Sequence, residues 1–434
     1  MSQAGSNATR RRELAALAES ILEPGTKGIP PQRCPIALGA IGAQGWSVLR
    51  GDVLLPAAVL LRSTLARNSR TMRDYLAERA MAIAPHGKTT MAPQLFDMQM
   101  RDGAWGITVA TVQQFAICRR FAFDRVLIAN ELVGEAEIDY VFRELERAPE
   151  LELYCLIDSV AGVQRLAEGG RRSRAAMRMN CLVEVGMPGG RAGCRTVEEA
   201  VAVARAAAGS GLAVRGVEGF EGILPDAATV DVFLDRLCEV AERIAGAGYF
   251  AADRSVVLTA GGSAYYDRVA AWLAKGRLLA GKVEIITRSG CYLTHDSGAI
   301  ADAFAALRTR DATLTEDAFA PALLVFTHVQ SRPEPGKAIL AMGRRDAGTD
   351  AGLPVPLLVY RAGRDARPIP IAGHRVTALN DQHTHLACPE DSNLAVGDIV
   401  AFGVSHPCTT FDKWQVLFVV DDDFQVVDAI RTFF

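Results

Sequence analysis

From about residue 57 to residue 310 the chain repeats one pattern: a short aliphatic run, a loop containing Gly, Asp or Asn, and an amphipathic stretch of Ala, Leu, Glu and Arg. This pattern predicts strands that alternate with helices. The predicted strands are residues 81–85, 106–110, 125–129, 151–157, 177–185, 214–220, 255–260 and 282–287. Eight strand-helix units within about 250 residues predict an α/β fold of the closed parallel (β/α)8 type, because doubly wound sheets usually stop at about five or six strands.

The pattern changes after Arg310, where apolar runs are separated by Gly, Pro and Asp clusters without a long helical period. The runs are residues 323–332, 338–343, 356–361, 374–379, 398–404 and 415–430. They predict a separate β-strand-rich domain. We therefore expect three parts: an N-terminal segment, residues 1–55, which adds to the β-rich domain; a barrel, residues 56–312; and the β-rich C-terminal domain, residues 313–434.

Composition narrows the class of protein. The 434 residues are 50% hydrophobic, and 47 basic side chains face 50 acidic ones, so nothing favours a nucleic-acid partner. The nine cysteines are odd in number and scattered through apolar segments, which indicates reduced thiols and a cytoplasmic protein. No apolar run is long enough for a secretion signal or a membrane anchor.

A lysine follows the first predicted strand, in Pro85-His86-Gly87-Lys88-Thr89. Residues just past the carboxyl ends of barrel strands line the barrel mouth. Partial desolvation there favours the neutral amine, which forms a Schiff base with an aldehyde cofactor. The alternative is a solvated loop lysine.

Glycines follow the seventh strand, in Gly261-Gly262-Ser263. Barrel enzymes often bind a phosphate after strands seven and eight, although tight turns also need glycine. Together with Lys88, this turn predicts a site for pyridoxal 5′-phosphate (PLP). Arg191, in the glycine-rich loop after the fifth strand, is a candidate partner for the cofactor's phenolate oxygen; a surface ion pair is the alternative.

A candidate metal site lies in Ser405-His406-Pro407-Cys408. His406 and Cys408 are two residues apart, so on an extended segment they point to the same side. Imidazole and thiolate donors suit a divalent metal, zinc first and manganese second. His383 and His385 upstream are further potential donors, or members of a polar strand face.

From about residue 50 to its end, the sequence resembles the D-serine dehydratases and D-threonine aldolases, PLP enzymes of fold type III with an alanine-racemase-like barrel. The matching positions are Pro85, His86, Lys88 and Thr89 of the lysine motif; Gly261, Gly262 and Ser263 of the phosphate turn; Gly290 and Tyr292 of a Pro-Gly-x-Tyr segment; His406 and Cys408 of the metal pair; and His383 of a Glu-His-Gly segment. The resemblance implies cofactor contacts from His86 and Tyr292, and catalytic roles for Lys88 and His383.

The sequence departs from the family at three places. Thr90 stands where the lysine motif usually continues with His, Thr384 replaces the Gly of Glu-His-Gly, and the turn from Met187 to Arg191 is longer than usual. These differences indicate a divergent branch, and they bear on the substrate more than on the cofactor.

The resemblance also implies D-amino acid substrates and a homodimer with active sites near its interface. We expect β-elimination from a D-β-hydroxy amino acid, with D-serine giving pyruvate and ammonia. Lys88 would remove the Cα proton, and the metal would help the β-hydroxyl leave. The thiolate ligand favours zinc, and with it the dehydratase. The alternatives are a D-threonine aldolase, a racemase, which needs no metal, and a non-catalytic PLP-binding protein.

Overall fold

The computed structural model describes residues 3–273 and 283–434. The helices are α1 Gln3–Ala18, α2 Arg62–Ala77, α3 Pro93–Arg101, α4 Val112–Arg120, α5 Glu135–Arg147, α6 Val160–Arg171, α7 Val197–Gly209, α8 Ala227–Gly246, α9 Tyr266–Leu273, α10 Ala299–Arg310 and α11 Cys408–Phe411. The strands are β1 Ile21–Leu22, β2 Ile36–Ala37, β3 Ala57–Leu61, β4 Ala82–Ile83, β5 Ile107–Val109, β6 Arg125–Glu131, β7 Glu152–Ile157, β8 Asn180–Val185, β9 Ala213–Gly219, β10 Val256–Thr259, β11 Val283–Thr287, β12 Leu323–Glu334, β13 Lys337–Leu340, β14 Val355–Tyr360, β15 Ile369–Pro370, β16 Arg375–Leu379, β17 Thr384–Ala387, β18 Ile399–Gly403, β19 Val416–Val420 and β20 Val426–Arg431.

The chain divides into two compact units that interleave along the sequence. Unit 1 contains Met1–Arg11, Arg73–Lys88 and Gln99–Gly290, and unit 2 contains Arg12–Met72, Thr89–Met98 and Cys291–Phe434. The sequence predicted one domain boundary near residue 55 and another near residue 312. In the structure, unit 2 also includes several segments that lie within the predicted barrel. None of the described helices is both long and apolar enough to cross a lipid bilayer.

Unit 1 contains the eight-stranded sheet that the sequence predicted. Its order is β4-β11-β10-β9-β8-β7-β6-β5, and neighbouring strands in this order pair in parallel. A parallel bridge between His86 and Thr108 joins the ends of this order, and the Trp105 N–H donates to the Ile83 carbonyl over 2.7 Å. These contacts close the strands into a ring, as in a (β/α)8 barrel.

The core of the barrel comes from aliphatic side chains that point inward from successive strands. A buried cluster includes Leu127, Leu156, Leu182, Val257 and Ile286. Helices begin where the sequence supplies a cap: the side chains of Thr111, Ser159, Thr196 and Asp226 each accept a hydrogen bond from the backbone three residues ahead.

The strand boundaries differ from the predictions in one place of note. The run predicted over 177–185 begins as a 3-10 turn, Ala176–Arg178, and becomes a strand only at Asn180. Lys282, the first residue of the predicted eighth strand, lies outside the described residues.

Unit 2 contains a ten-stranded sheet whose main path is β15-β14-β18-β12-β13-β17-β16. Strand β3 pairs with β12 in antiparallel and with β19 in parallel fashion. The predicted barrel, residues 56–312, included β3, although residues 57–61 were not among its eight predicted strands. The pairing partners of β3 decide otherwise, and they come from the far end of the chain.

The C-terminal predictions hold for most strands and miss two. The run 415–430 is a hairpin of β19 and β20 rather than one strand, because Asp421 closes a turn by accepting from the N–H groups of Asp423 and Gln425. The short strands β15 and β17 were not predicted, since neither contains a run of apolar residues.

Candidate active site

A cavity of about 270 Å³ opens in unit 1 among residues at the carboxyl ends of the barrel strands. Its wall is formed by His86, Lys88, Ala110, Ala129, Asn130, Leu156, Glu184, Arg191, Ala192, Glu218, Phe220, Gly262 and Arg288. Four residues that the sequence proposed for the cofactor site, His86, Lys88, Arg191 and Gly262, thus line one cavity. Its volume is near the lower end of the roughly 300–1,000 Å³ that ligand pockets occupy.

Lys88 lies on the 3-10 turn Gly87–Thr89, and its side chain is exposed. The partial desolvation that we expected is therefore not a feature of this structure, because the turn carries the lysine to the rim. His86 lies deeper. Its Nδ1 atom is enclosed by protein and has no hydrogen-bond partner in the described residues. Burial, followed by the charges of Lys88 and two arginines, holds the pKa of His86 well below its usual range, so the ring is neutral.

A buried ion pair forms part of the cavity wall. Arg288 donates to Glu218 through Nη2, and its Nη1 donates to the Thr259 hydroxyl over 2.6 Å. Burial raises the pKa of Glu218 and outweighs the opposing charge of Arg288. The second oxygen of Glu218, Oε2, is enclosed and has no partner among the described residues. Sequence reasoning missed Glu218.

A second carboxyl on the cavity wall is held in its protonated form. Burial, followed by a hydrogen bond with Glu131 and the charge of Glu218, raises the pKa of Glu184 to about 10. The nearby carboxylates favour the neutral form because like charges cannot all ionise in a confined space. At neutral pH Glu184 therefore carries a proton.

Glu184→Gln is expected to stabilise the protein at alkaline pH. The unfolded state releases the Glu184 proton above about pH 4.5, while the folded state keeps it to about pH 10, so wild-type protein loses stability relative to the glutamine variant as pH rises between those values. Because the side chain is only partly buried, we expect about 1–2 kcal/mol at pH 8. Denaturant unfolding at pH 5 and pH 8, with exposed Glu242→Gln as control, measures it; a pH-independent difference would contradict the protonated state.

The glycine turn binds a carboxylate of the protein itself. The Gly261 and Gly262 N–H groups donate to the two oxygens of Glu221 over 2.9 and 2.6 Å. Gly261 has φ +93°, and an added Cβ would lie 2.6 Å from the Thr287 hydroxyl oxygen, so only glycine fits. The turn is thus an anion-binding cradle, but a phosphate would bind these amides only by displacing Glu221. The sequence prediction did not include this competitor.

The other predicted cofactor residues are placed differently. Arg191 is exposed, and its guanidinium lies 5.0 Å from the centre of the Phe220 ring. Ser263 is half-buried beside the glycine turn. Tyr292 is buried and belongs to unit 2.

The predicted metal pair lies in unit 2. His406 Nδ1 is 2.6 Å from a carboxyl oxygen of Asp350. This contact orients the imidazole ring, so Nε2 is the nitrogen that could bind a metal. Cys408 begins helix α11, and its Sγ atom is 3.4 Å from the Thr89 hydroxyl. Cys291 Sγ is 3.8 Å from Cys408 Sγ. All nine cysteines lie in the described part of the chain, and none forms a disulfide.

The electrostatics of this pair favour a thiolate. A hydrogen bond from Cys291, followed by one from His406, lowers the pKa of Cys408 to about 4. The contact with Cys408, followed by the one with Asp350, raises the pKa of His406 to about 9. Thiolate is the form of cysteine that binds metals.

The donors fit zinc in chemistry, although they are not assembled into a complete site. Within residues 3–273 and 283–434, no three His, Cys, Asp or Glu side chains form a group that could hold a metal ion. His383 and His385 do not join the pair: His383 lies on an exposed turn whose pocket includes Arg344, and His385 bonds to Asn380 over 2.7 Å. The catalytic role of His383 stays a prediction.

Comparison with known proteins identifies both parts of the chain. The family model described as "Alanine racemase, N-terminal domain" matches residues 62–275, and the one described as "Putative serine dehydratase domain" matches residues 322–420. Together these regions cover most of the chain.

Individual relatives agree with these matches. A D-threonine aldolase of Arthrobacter sp is 24% identical over 399 residues, which cover 89% of this chain and 94% of the aldolase. The crystal structure of D-threonine aldolase from Filomicrobium marinum has a TM-score of 0.72 at 23% identity, covering 89% of this chain and 96% of that one. A D-threo-3-hydroxyaspartate dehydratase variant, solved in a metal-free form, has a TM-score of 0.68 at 20% identity, covering 88% and 97%. The structural likenesses establish an alanine-racemase-like fold.

Proposed function

The chain belongs to the D-serine dehydratase and D-threonine aldolase-like family of alanine-racemase-like barrel proteins, and from this premise we propose that it is a PLP- and metal-dependent D-serine dehydratase. The observation that carries the proposal is the cavity of unit 1, in which Lys88 and the neutral His86 line the same wall as the Glu218–Arg288 pair. A lysine at the mouth of a barrel, beside buried polar atoms that lack partners, suits an aldehyde cofactor.

The residues present fit PLP. His86 Nδ1 and Glu218 Oε2 are enclosed polar atoms without partners among the described residues, and the Gly261–Gly262 amides could take a phosphate in place of Glu221. Lys88 would hold the cofactor covalently, with His86, Arg191, Gly261, Gly262 and Ser263 of unit 1 as its other proposed contacts. When bound, PLP supplies an electron sink that stabilises negative charge at the substrate's Cα.

Lys88 has two roles in the proposed reaction. Its amine would hold the cofactor, and in its free form the same amine would serve as the base that takes the Cα proton. The neutral ring of His86 adds no positive charge beside Lys88. In the cavity wall, Glu218 forms an ion pair with Arg288, so the positive charge of this arginine has a buried partner. His383 is exposed in unit 2, and its catalytic role stays a prediction.

The metal would be held by His406 and Cys408, with Asp350 orienting the imidazole. A divalent ion supplies a Lewis acid for the β-hydroxyl, which is a poor leaving group without such help. Thiolate donors favour zinc over manganese. The proposal includes a homodimer in a reducing, cytoplasmic compartment, in keeping with nine unpaired cysteines.

The rival reaction is retro-aldol cleavage of a D-β-hydroxy amino acid to glycine and an aldehyde. It is favoured by the names of the Arthrobacter and Filomicrobium relatives. The same lysine and metal pair would serve both reactions, and the difference lies in which bond at Cα is held perpendicular to the cofactor ring. We prefer the dehydratase only because the thiolate of Cys408 favours zinc, and with it the elimination reaction.

The substrate class is tested with purified, zinc-loaded protein and three amino acids. We expect D-serine to release a keto acid and ammonia, L-serine to react at least roughly a hundredfold more slowly, which is about 2.7 kcal/mol of differential transition-state binding, and D-alanine to be left intact. Coupled assays for keto acid and ammonia measure this. Comparable turnover of L-serine would overturn the stereochemical part, and consumption of D-alanine would favour a racemase.

A further inference from the structure

A second thiol lies beside the predicted metal ligand Cys408. Cys291 is 117 residues away in sequence, yet its Sγ atom lies 3.8 Å from Cys408 Sγ, and the residue is 8% exposed. In the family segment that the sequence resembles, Cys291 occupies the variable position between Gly290 and Tyr292, so the resemblance assigns it no role. We propose that Cys291 is a ligand of the metal ion, side by side with Cys408.

The distance between the sulfurs supports two ligands of one ion. In a tetrahedral site with zinc–sulfur bonds of about 2.3 Å, two thiolate sulfurs lie about 3.8 Å apart. The observed separation of 3.8 Å has that value. Disulfide sulfurs are about 2.05 Å apart, so the two thiols are not bonded to each other. The pair is already spaced as two corners of a zinc tetrahedron.

One hydroxyl group lies beside both sulfur atoms. The Thr89 hydroxyl lies 3.4 Å from Cys408 Sγ and 3.9 Å from Cys291 Sγ, within reach of either sulfur as an outer hydrogen-bond donor. Such outer partners orient metal ligands and are a usual part of metal sites. Two sulfur donors also select a soft or borderline ion, which favours zinc over manganese or magnesium.

A third donor completes the set after a local movement. As described, no three such side chains within residues 3–273 and 283–434 form a ready metal site. His406 contacts Cys408 and is anchored by Asp350, so it is the residue placed to join the two thiols. Three protein ligands would leave one tetrahedral position open, which is the arrangement of catalytic rather than structural zinc.

This inference rests on the proposed function only in that a metal ion binds at all. The test is zinc K-edge X-ray absorption on the full-length, reduced and zinc-loaded protein, which counts sulfur atoms at the zinc–sulfur distance without any substrate. We expect two sulfurs in wild-type protein and one in Cys291→Ser, with zinc affinity lowered beyond the roughly 10- to 100-fold that loss of an outer partner costs. Cys388→Ser, a half-buried thiol on another part of unit 2, is the matched control and should keep two sulfurs.

Each outcome decides the question. One sulfur in wild-type protein, unchanged in Cys291→Ser, would overturn Cys291 as a ligand while leaving His406 and Cys408 in place. Protein that binds no zinc by elemental analysis would overturn both the ligand and the proposed metal dependence. Two sulfurs without turnover of D-serine would support the ligand and count against the proposed reaction. The wild-type count alone is decisive if Cys291→Ser does not fold, which circular dichroism reports.

Discussion

Lys88→Ala is expected to abolish covalent attachment of the cofactor and to lower activity by at least about a thousandfold, the upper range that loss of a nucleophile or general base produces. Lys88 lines the cavity of unit 1 beside His86, and alanine supplies neither the attachment point nor the base. Purified wild-type protein should be yellow, and the variant should lack the visible absorbance of a lysine-bound cofactor.

The position of attachment is measured by borohydride reduction, digestion and mass spectrometry of the labelled peptide. Lys337→Ala is a suitable control, because Lys337 lies on β13 of unit 2, outside the cavity. It should retain both colour and activity. A label on any lysine other than Lys88 would contradict the assignment.

His406→Ala, or removal of metal by a chelator, is expected to lower activity by at least about a hundredfold, or about 2.7 kcal/mol, while the visible absorbance of the cofactor is retained. The two effects separate because His406 belongs to unit 2, whereas the residues that line the Lys88 cavity belong to unit 1. Activity assays, elemental analysis and absorbance spectra on one preparation measure all three quantities.

The control for this experiment is His374→Ala. His374 bonds to the Ala372 carbonyl and the Ser392 hydroxyl, away from the metal pair in sequence and in its contacts. We expect it to keep its metal and its activity. Wild-type protein that stays fully active after its metal has been stripped would remove the ion from the mechanism.

The sequence was a good guide to the parts of the fold that depend on local pattern. Most barrel strands contain an apolar run that is buried in the closed sheet, and each strand is followed along the chain by a helix. Strand β3 shows the limit of this reasoning, because its apolar pattern is the same in either domain and only its partners β12 and β19 decide where it belongs.

In the candidate site, too, local pattern predicted some residues, while contacts between distant residues were missed. Lys88 and Gly262 were found because they directly follow strands, and strand ends meet at one face of a barrel. The contacts of Glu221 with the glycine turn and of Cys291 with Cys408 join residues 40 and 117 positions apart, and no local pattern encodes such contacts. In a sequence, a glutamate within a strand is interpreted as a solvent-exposed polar residue. The structure shows that Glu218 is buried in the wall of the cavity.

The catalytic role of His383 stays a prediction. A histidine two residues from another, near a predicted metal pair in sequence, was given a catalytic role by resemblance. The structure places it on an exposed turn between β16 and β17, where its carbonyl accepts from the Asn380 N–H over 2.9 Å. Strand β17, which follows His383, pairs with β13, whereas β18, which precedes His406, pairs with β12.

The measurement that tests the central claim most directly is identification of every product when zinc-loaded protein is given D-serine and D-threonine in separate, saturating reactions. The account predicts pyruvate and ammonia in equal amounts from D-serine, and 2-oxobutanoate rather than glycine as the main product from any D-threonine consumed, quantified by mass spectrometry. Glycine and acetaldehyde as the dominant products from D-threonine, with no pyruvate from D-serine, would contradict the dehydratase and establish the aldolase.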